Sequence, residues 1–468
     1  MTSTLRTAWT RHRQALGSRL EGTEHEAGDD GWADAVEVWN GMVARTPAMV
    51  VRPASARDVA VVVRFAQEHG VLLGIKGGGH HIAGTALAEA GITLDMSGMR
   101  DVTVDPAARL AHVGPGCLLR DVDRATQEHG LATVLGFVSE VGVAGLTLGG
   151  GLGYLTRRFG WGVDNLVEVE IVTADGRVRV ANRERESELF WGVRGAGANL
   201  GVVTRLTFRL HPVGPTVHGG LVAWPFERAD EILRAYRDIT TAAPRELAVW
   251  LILLRAPAAP FVPGEWHGRR ICAMAVCWSG DPGGAQEALA PVRALRDPVL
   301  DLVGDLPYAD LQSLLDDGEP KGNHYYWKTG YTRELDDGLL STVRDLFAGC
   351  PIPCAEIGFL HVGGALGEHP EDDGAVGNRD ARYVVGVNGM WEPGEPDADA
   401  FRRWVRDAAE RVRPFTTGRS YVNFQTGDEG EDPVRATYGA NLDRLVRVKT
   451  AYDPHNLFRV NRNLPPAP

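Results

Sequence analysis

The chain has 468 residues, 44% of them hydrophobic and 24% charged, with a formal net charge of −12, a length that accommodates two or three domains with ample core. An acidic surface repels phosphate backbones and anionic lipid, which disfavours nucleic acid and membrane surfaces as partners, and no apolar run approaches the ~18 residues of a bilayer span. Five cysteines point to reduced thiols in a cytoplasmic setting, and the polar stretch Met1 to Arg19 shows no leader pattern.

Met49-Val50-Val51-Arg52-Pro53 reads as a strand ended by proline. Ser55 to Glu68 reads as a helix, with Ser55 as N-cap and Asp58 at the third position in the manner of a capping box. Gly70 closes it, and Val71 to Lys76 reads as a buried strand. Directly after that strand comes Gly77-Gly78-Gly79-His80-His81. Three glycines without Cβ atoms let a backbone lie against a ligand, and α/β folds place ligands just beyond strand ends. The adjoining histidine is the side chain best suited to act as a neutral nitrogen nucleophile near pH 7.

Ile92 to Asp95 and Ala111 to Val113 read as further strands, and Leu118 to His129 as a helix. A second glycine cluster runs from Gly142 to Gly153. Gly149-x-Gly151 with Glu168 and Glu170 some way on invites a dinucleotide reading. That fingerprint needs strand, glycine turn and helix, then an acid at the end of the next strand roughly 20 residues later. Here both glutamates fall inside a strand, so the reading fails, while a nest of backbone amides around a pyrophosphate stays open. Val167 to Thr173 and Val178 to Ala181 pair as a hairpin through Asp175-Gly176.

From about Thr216 to Arg413 the strands lengthen: Gly219 to Trp224, Leu247 to Leu254, Ile271 to Trp278, Ala355 to Val362 and Tyr383 to Trp391. Amphipathic helices Phe226 to Thr241 and Tyr331 to Phe347 lie between them, the pattern of a two-layer α+β domain. Cys350 and Cys354 flank Pro-Ile-Pro, a spacing that matches no zinc pattern. Residues 365–381 read as a loop, and Val434 to Tyr452 as a final helix.

Many short segments occur in a fixed order. They include Arg52-Pro53-Ala54-Ser55 with Asp58-Val59, Lys76 through His80, Leu94-Asp95-Met96-Ser97, Gly142 through Gly153, Asp164-Asn165-Leu166, and Thr173 through Gly176. Further along come Leu189-Phe190-Trp191 with Arg194-Gly195, Asn199 through Thr204, Tyr421-Val422-Asn423-Phe424, Tyr438-Gly439 with Asn441, Tyr452-Asp453-Pro454 with Asn456 and Phe458, and Asn461 with Asn463-Leu464. From about Trp39 to Leu464 the chain thereby resembles the FAD-linked oxidases of the vanillyl-alcohol oxidase / p-cresol methylhydroxylase (PCMH) fold, in the berberine-bridge-enzyme-like branch.

The resemblance implies an α+β protein. Residues 1–215 and 415–468 would form a PCMH-type FAD-binding domain of two subdomains, and 216–414 a substrate domain with an antiparallel sheet covered by helices. It implies FAD bonded through its 8α-methyl to His80. Such a bond retains the cofactor and favours its reduction. Lys76, Gly77, Gly78, Gly79, His81, Gly142, Gly145, Gly149, Gly150, Gly153, Val202, Tyr421, Asn423 and Asn461 would line the cofactor. Relatives with a second flavin bond carry a cysteine where this chain has Val138, and Cys117 lies in another segment, so a single covalent bond is expected. The bases used by plant relatives fall at Val384 and Phe424, neither of which accepts a proton.

Strand alternation offers a replacement. With Ile357 and Phe359 toward the core, Glu356, Gly358 and Leu360 share the opposite face, which in this fold covers the flavin. Gly358 would leave room for the ring, and Glu356 in an apolar site would have a raised pKa suited to a general base. A structural pair between Glu356 and an arginine is the alternative. His361 falls on the core side. Tyr325, Tyr326 and Lys328 resemble a segment beside the substrate cavity, and Tyr154 and Glu140 flank the flavin loops. The implied reaction is two-electron oxidation of a small organic or natural-product substrate, extending to oxidative cyclisation, with hydride passing to flavin N5 and O2 reoxidising the flavin to give H2O2. A flavin dehydrogenase or reductase with another acceptor, and a drug-sequestering binder, are the alternatives. The partners are the small-molecule substrate and O2. No metal is expected, and monomer and homodimer both stay open.

Overall fold

The computed structural model describes residues 16–468; residues 1–15, and with them most of the stretch read as leader-free, lie outside the described residues. Three main sheets organise the chain. In the first, Met49–Arg52 and Leu73–Lys76 flank Ile92–Asp95 in parallel, and Thr23–His25 adds an antiparallel edge. The helix Ala56–His69 crosses between the first two strands. It ends where Gly70 adopts φ 63° and caps Ala66 and Gln67. Its start departs from the capping-box expectation. Ser55 makes no side-chain cap bond and its Oγ is unpartnered. Buried Asp58 instead accepts from the amides of Glu21, Gly22 and Ala54 and ties the N-terminal segment to the helix.

The second sheet is antiparallel, in the order Val102–Asp105, Leu110–Val113, Val202–Arg209, Leu166–Val172, Val178–Asn182. The hairpin between the last two forms as expected. Glu168 and Glu170 lie in mid-strand, bonded to Asn182 and Thr204, away from any nucleotide-binding turn.

The third sheet gathers the long strands. Across it run Thr216–Pro225, Arg270–Trp278, Leu247–Arg255, Glu356–His361, Tyr383–Trp391 and His324–Thr332, every pairing antiparallel. Helices Ala229–Ala242, Asp337–Ala348 and Ala398–Val412 pack on one face. Leu233, Tyr236, Val343 and Val405 meet Leu251, Ile357, Phe359 and Val385 in one buried cluster. Each fully buried Leu, Ile or Phe contributes about 1.5–3 kcal/mol, so this face fixes which way the sheet turns. The other face is left for the site. Burial alternates residue by residue through Glu356–His361 as the period-2 reading expects, with Glu356, Gly358 and Leu360 on the less buried side.

Two helices differ from expectation. Tyr331 and Thr332 end a strand, His324–Thr332, whose aromatic and threonine content suits a pleated surface. The helix begins only at Asp337, where the Asp336 carboxylate accepts from the Leu339 amide at 2.7 Å. The final helix is two, Glu431–Tyr438 and Leu442–Tyr452, because Gly439 takes φ 49° between them. Among the described residues no helix is long and apolar enough to cross a membrane. All five cysteines are free, four buried and Cys354 exposed.

Candidate active site

The two glycine clusters interlock. A Cβ on Gly78 would fall 2.4 Å from the Gly142 amide nitrogen, and one on Gly142 would fall 2.2 Å from that of Gly78. Backbone therefore touches backbone, a contact only glycine permits. The cavity between them is lined by Gly77, Gly78, Gly79, Gly142, Gly145 and Gly149. Gly145 faces open space, with nothing within 4 Å of where its Cβ would be. Among the described residues the amides of Gly78, Gly79 and His80 donate to no protein acceptor. The wall continues through Tyr421, Val422, Asn423 and Phe424 and closes at Asn461 and Arg462. Tyr421 Oη accepts from the Gly151 amide at 2.9 Å and from Asn423 Nδ2 at 2.8 Å, and Asn423 Nδ2 also reaches the Leu146 carbonyl at 2.9 Å.

His80 lines this cavity. Its ring stacks on Trp39 at 4.4 Å, and Trp39 stacks in turn on Tyr325 at 3.7 Å. Burial lowers the His80 pKa to about 4, so at neutral pH the ring is an uncharged imidazole with a free nitrogen lone pair. His81 also lines the cavity, and burial lowers its pKa to about 4. Its Nδ1 accepts from the Ala83 amide at 3.1 Å and the ring donates to the Val422 carbonyl, joining the loop to the C-terminal segment.

The apolar end holds Phe137, Val138, Trp327 and Phe424, and among them one carboxylate, Glu319. Trp327 stands edge-on to Phe424 at 5.6 Å. Across the sheet Trp327 is opposite Asn388, and Asn388 is opposite Glu356, so the three form a row on one face. Glu356 itself lies behind the cavity surface. Burial raises its pKa, and burial followed by the charge of Glu356 raises that of Glu319. Among the described residues neither glutamate forms an ion pair with an arginine or lysine. Glu319 Oε2 and Asn388 Oδ1 are buried without a hydrogen-bond partner.

Several expected site residues are placed elsewhere. Lys76 points away from the cavity, its ammonium bonded to the carbonyls of Asp34 and Ala35, because strand alternation gives Ile75 the cavity side. Val202 is buried in the first sheet's core with Val172, leaving Gly201 and Val203 at the wall. Gly150, at φ 129°, turns the loop beneath Tyr421, and Gly153 packs on the Leu135 carbonyl, so neither lines the cavity. Tyr154 stacks on Trp250 at 4.3 Å in a separate core, and Glu140 is exposed and paired with Arg120.

On the strand His324–Thr332, Tyr326 and Lys328 face the opposite way, bonded to Asp428. Tyr325 braces Trp39 rather than lining the cavity. Val384 packs with Leu360 and Phe424 just behind the wall. Gly358 makes no room for a ligand ring; its Cβ position is met by the Leu251 carbonyl of the next strand at 2.5 Å. His361 stacks on Tyr383 beside Arg157, away from the cavity. Cys117 is buried, its thiol pushed up to about 12 by burial, and lies outside the lining.

Sequence reasoning missed Trp39, Glu319, Trp327 and Asn388. The period-2 pattern that pairs Tyr325 with Trp327 could have found the tryptophan, and the one that pairs Val384 with Asn388 the asparagine.

The residues present fit FAD. Unpaired glycine amides suit a pyrophosphate, and Asn461 Oδ1 and Arg462 Nε are buried without partners at the polar end. The neutral imidazole and aromatic wall suit an isoalloxazine. Comparison with known proteins agrees. Residues 47–182 match the FAD binding domain family, and residues 420–465 the berberine and berberine-like family. The chain is 30% identical to the FAD-linked oxidoreductase pgmH of Aspergillus terreus, covering 94% of this chain and 93% of that one. It is 28% identical to (R)-6-hydroxynicotine oxidase of Paenarthrobacter nicotinovorans, covering 94% and 95%. Its fold is that of 6-hydroxy-D-nicotine oxidase from Arthrobacter nicotinovorans, with TM-score 0.87 at 24% identity over 96% of this chain and 98% of the other. Xylooligosaccharide oxidase from Myceliophthora thermophila C1 shares it too, with TM-score 0.85 at 22% identity over 98% and 99%. The chain belongs to the berberine-bridge-enzyme-like FAD-linked oxidoreductases and is an α+β flavoenzyme of the PCMH-type fold.

Proposed function

We propose that this flavoenzyme is an oxidase of small organic, natural-product-type substrates, with His80 as the single covalent anchor of FAD and O2 as the final acceptor. The observation that carries the reading is a neutral, half-buried imidazole on a glycine-lined cavity whose far end is aromatic and holds a carboxyl group. FAD supplies a two-electron acceptor that O2 can reoxidise, giving H2O2. The FAD-binding part spans 1–215 and 415–468, and 216–414 lays its sheet over the substrate end.

Each residue then has a task. Trp39 holds the His80 ring in place for attachment, since a stacked imidazole cannot swing out of the cavity. Val138 lines the cavity, and no cysteine does among the described residues, which supports one covalent bond rather than two. Phe137, Trp327 and Phe424 exclude water and favour an apolar or aromatic substrate over a sugar. The raised pKa of Glu356 makes its ionised form a stronger base near neutral pH than an exposed carboxylate. A substrate carrying a second nucleophile extends the reaction to oxidative cyclisation. The five free thiols support a reducing, cytoplasmic setting.

The test is anaerobic mixing of holoenzyme with a panel of arylalkyl alcohols and secondary arylalkylamines. Bleaching of the flavin absorbance by at least one, followed by recovery and peroxide formation on admitting air, is expected. Absence of bleaching across the panel and across natural-product extracts removes the oxidase reading. Bleaching without recovery in air would favour a dehydrogenase with another acceptor.

A further inference from the structure

We propose that Glu319 and Glu356 act as one proton-sharing carboxyl pair at the substrate end of the cavity. Glu319 is the catalytic member that takes the substrate's proton, and Glu356 is the positioning member behind it. The inference rests on the oxidase reading above and adds the residue that touches the substrate.

Four observations carry it. Glu319 lines the cavity and Glu356 does not. The backbone of Glu319 is fixed to the cofactor anchor: its carbonyl accepts from Trp39 Nε1 at 2.9 Å, and the next carbonyl, that of Pro320, accepts from Tyr325 Oη at 2.5 Å. Trp39 and Tyr325 are the two rings stacked behind His80. Glu319 Oε2 and, in the row between Trp327 and Glu356, Asn388 Oδ1 are buried acceptors with no donor. Of the two, Glu319 lines the cavity, so a ligand there can supply its missing donor.

Among the described residues no cation pairs with either glutamate. Two interacting carboxylates in an apolar site without a cation cannot both ionise near neutral pH, so they hold one proton between them. The other titratable groups facing them are Tyr325, whose phenol is pushed up by burial and then by both glutamates, and Cys354, whose thiol is raised by burial and then by Glu356. Both are neutral at pH 7 and leave the pair's charge uncompensated.

The step balances. With the pair's resting proton on Glu356, the substrate's O–H or N–H bond breaks and its proton passes to the ionised Glu319. The electron pair of that bond stays on the substrate and forms the new double bond to carbon, as the carbon's hydrogen leaves with two electrons to FAD. The pair now holds two protons. When O2 takes the two electrons, one of these protons completes H2O2 and the pair returns to one.

The experiment is an infrared titration of the carboxylic acid C=O band in holoenzyme, wild type, Glu319→Gln, Glu356→Gln and the double variant, between pH 5 and 9. This readout needs no substrate. Beyond the Asp123 band that all four proteins share, wild type is expected to keep one further protonated carboxyl at pH 7 and to lose it in a step absent from the double variant. Each single variant should show its remaining carboxyl titrating at lower pH, since the like charge is gone. A band in Glu319→Gln that titrates as in wild type overturns the pair.

Catalysis is read from anaerobic bleaching with the same alcohol and amine panel. Glu319→Gln should slow it about 100-fold with flavin content and circular dichroism unchanged, and Glu319→Asp should restore part of it. Glu356→Gln should chiefly move the pH midpoint. Unslowed bleaching in Glu319→Gln overturns the catalytic assignment while leaving the oxidase reading intact. Failure of wild type to bleach overturns the oxidase reading alone, and the infrared titration still decides the pair.

Discussion

At the scale of single residues, the imidazole of His80 is shaped by what lies behind it. Trp39 stacks on one face and burial keeps the ring neutral, so a side chain lining the cavity carries a free nitrogen lone pair. Replacing His80 by alanine should leave FAD bound but not bonded, and the flavin should then separate from the chain in denaturing gel electrophoresis while wild type keeps it. Trp39→Ala removes a stacking contact worth about 0.5–1.5 kcal/mol beyond its buried area. It should slow flavin attachment several-fold without abolishing it, as followed by the growth of gel-fixed flavin fluorescence. Val138 tests the same geometry from the other side. It lines the cavity at the position where doubly linked relatives carry cysteine, so Val138→Cys should yield a second flavinylated tryptic peptide. A residue 138 thiol that stays fully open to alkylation would show that this position does not reach the flavin.

At the scale of elements, the two glycine loops perform different jobs that one substitution each can separate. A methyl on Gly142 would meet the backbone of Gly78, whereas a methyl on Gly145 meets nothing and projects into the cavity. Gly142→Ala should therefore push the loops apart and lower stability by about 1–3 kcal/mol or more, visible as a lower melting temperature even before cofactor is added. Gly145→Ala should leave apoprotein melting unchanged and reduce flavin loading. These loops were legible in the sequence because close backbone approach leaves glycine as its only solution. The long strands were legible too, and their alternation placed Glu356 on the correct face. Trp327 could have been read from the same alternation. Lys76 and Val202 were misplaced because matching a motif says that a segment touches the cofactor, not which side chain in it does. Glu319 and Trp39 carried no signal at all. They sit in irregular segments 280 residues apart, joined by one hydrogen bond, and no periodicity constrains such a meeting.

At the scale of the whole molecule, opposing sets of buried groups govern the response to acid. His81 and His211 have pKa values lowered to about 4, and that of His361 is well below its usual range, in each case first by burial. The unfolded chain protonates these near 6.5, so between pH 6.5 and about 4 it binds more protons than the folded one, and stability falls as pH falls. Asp123, raised to about 7 by burial, together with Glu319 and Glu356, does the reverse. The folded chain holds these protons where the unfolded chain has lost them, so their contribution is complete below about 4 and fades as pH rises through 7. The histidines and the carboxyls thus oppose one another, and the melting temperature of holoenzyme should vary little from pH 7 to 5. Below pH 4 nothing offsets the loss. Asp373, held low by hydrogen bonds from His369 and Arg183, and Asp428, held low despite burial by Tyr326, Thr426 and Lys328, then take up protons and release their partners. The double variant Glu319→Gln/Glu356→Gln removes two of the three groups that resist the histidines. Each unit of pKa shift is worth about 1.4 kcal/mol, so calorimetric melts of this variant should drop by several degrees between pH 6.5 and 5 while wild type holds. Parallel wild-type and variant curves across that window would show that the two carboxyls are ionised in the folded protein.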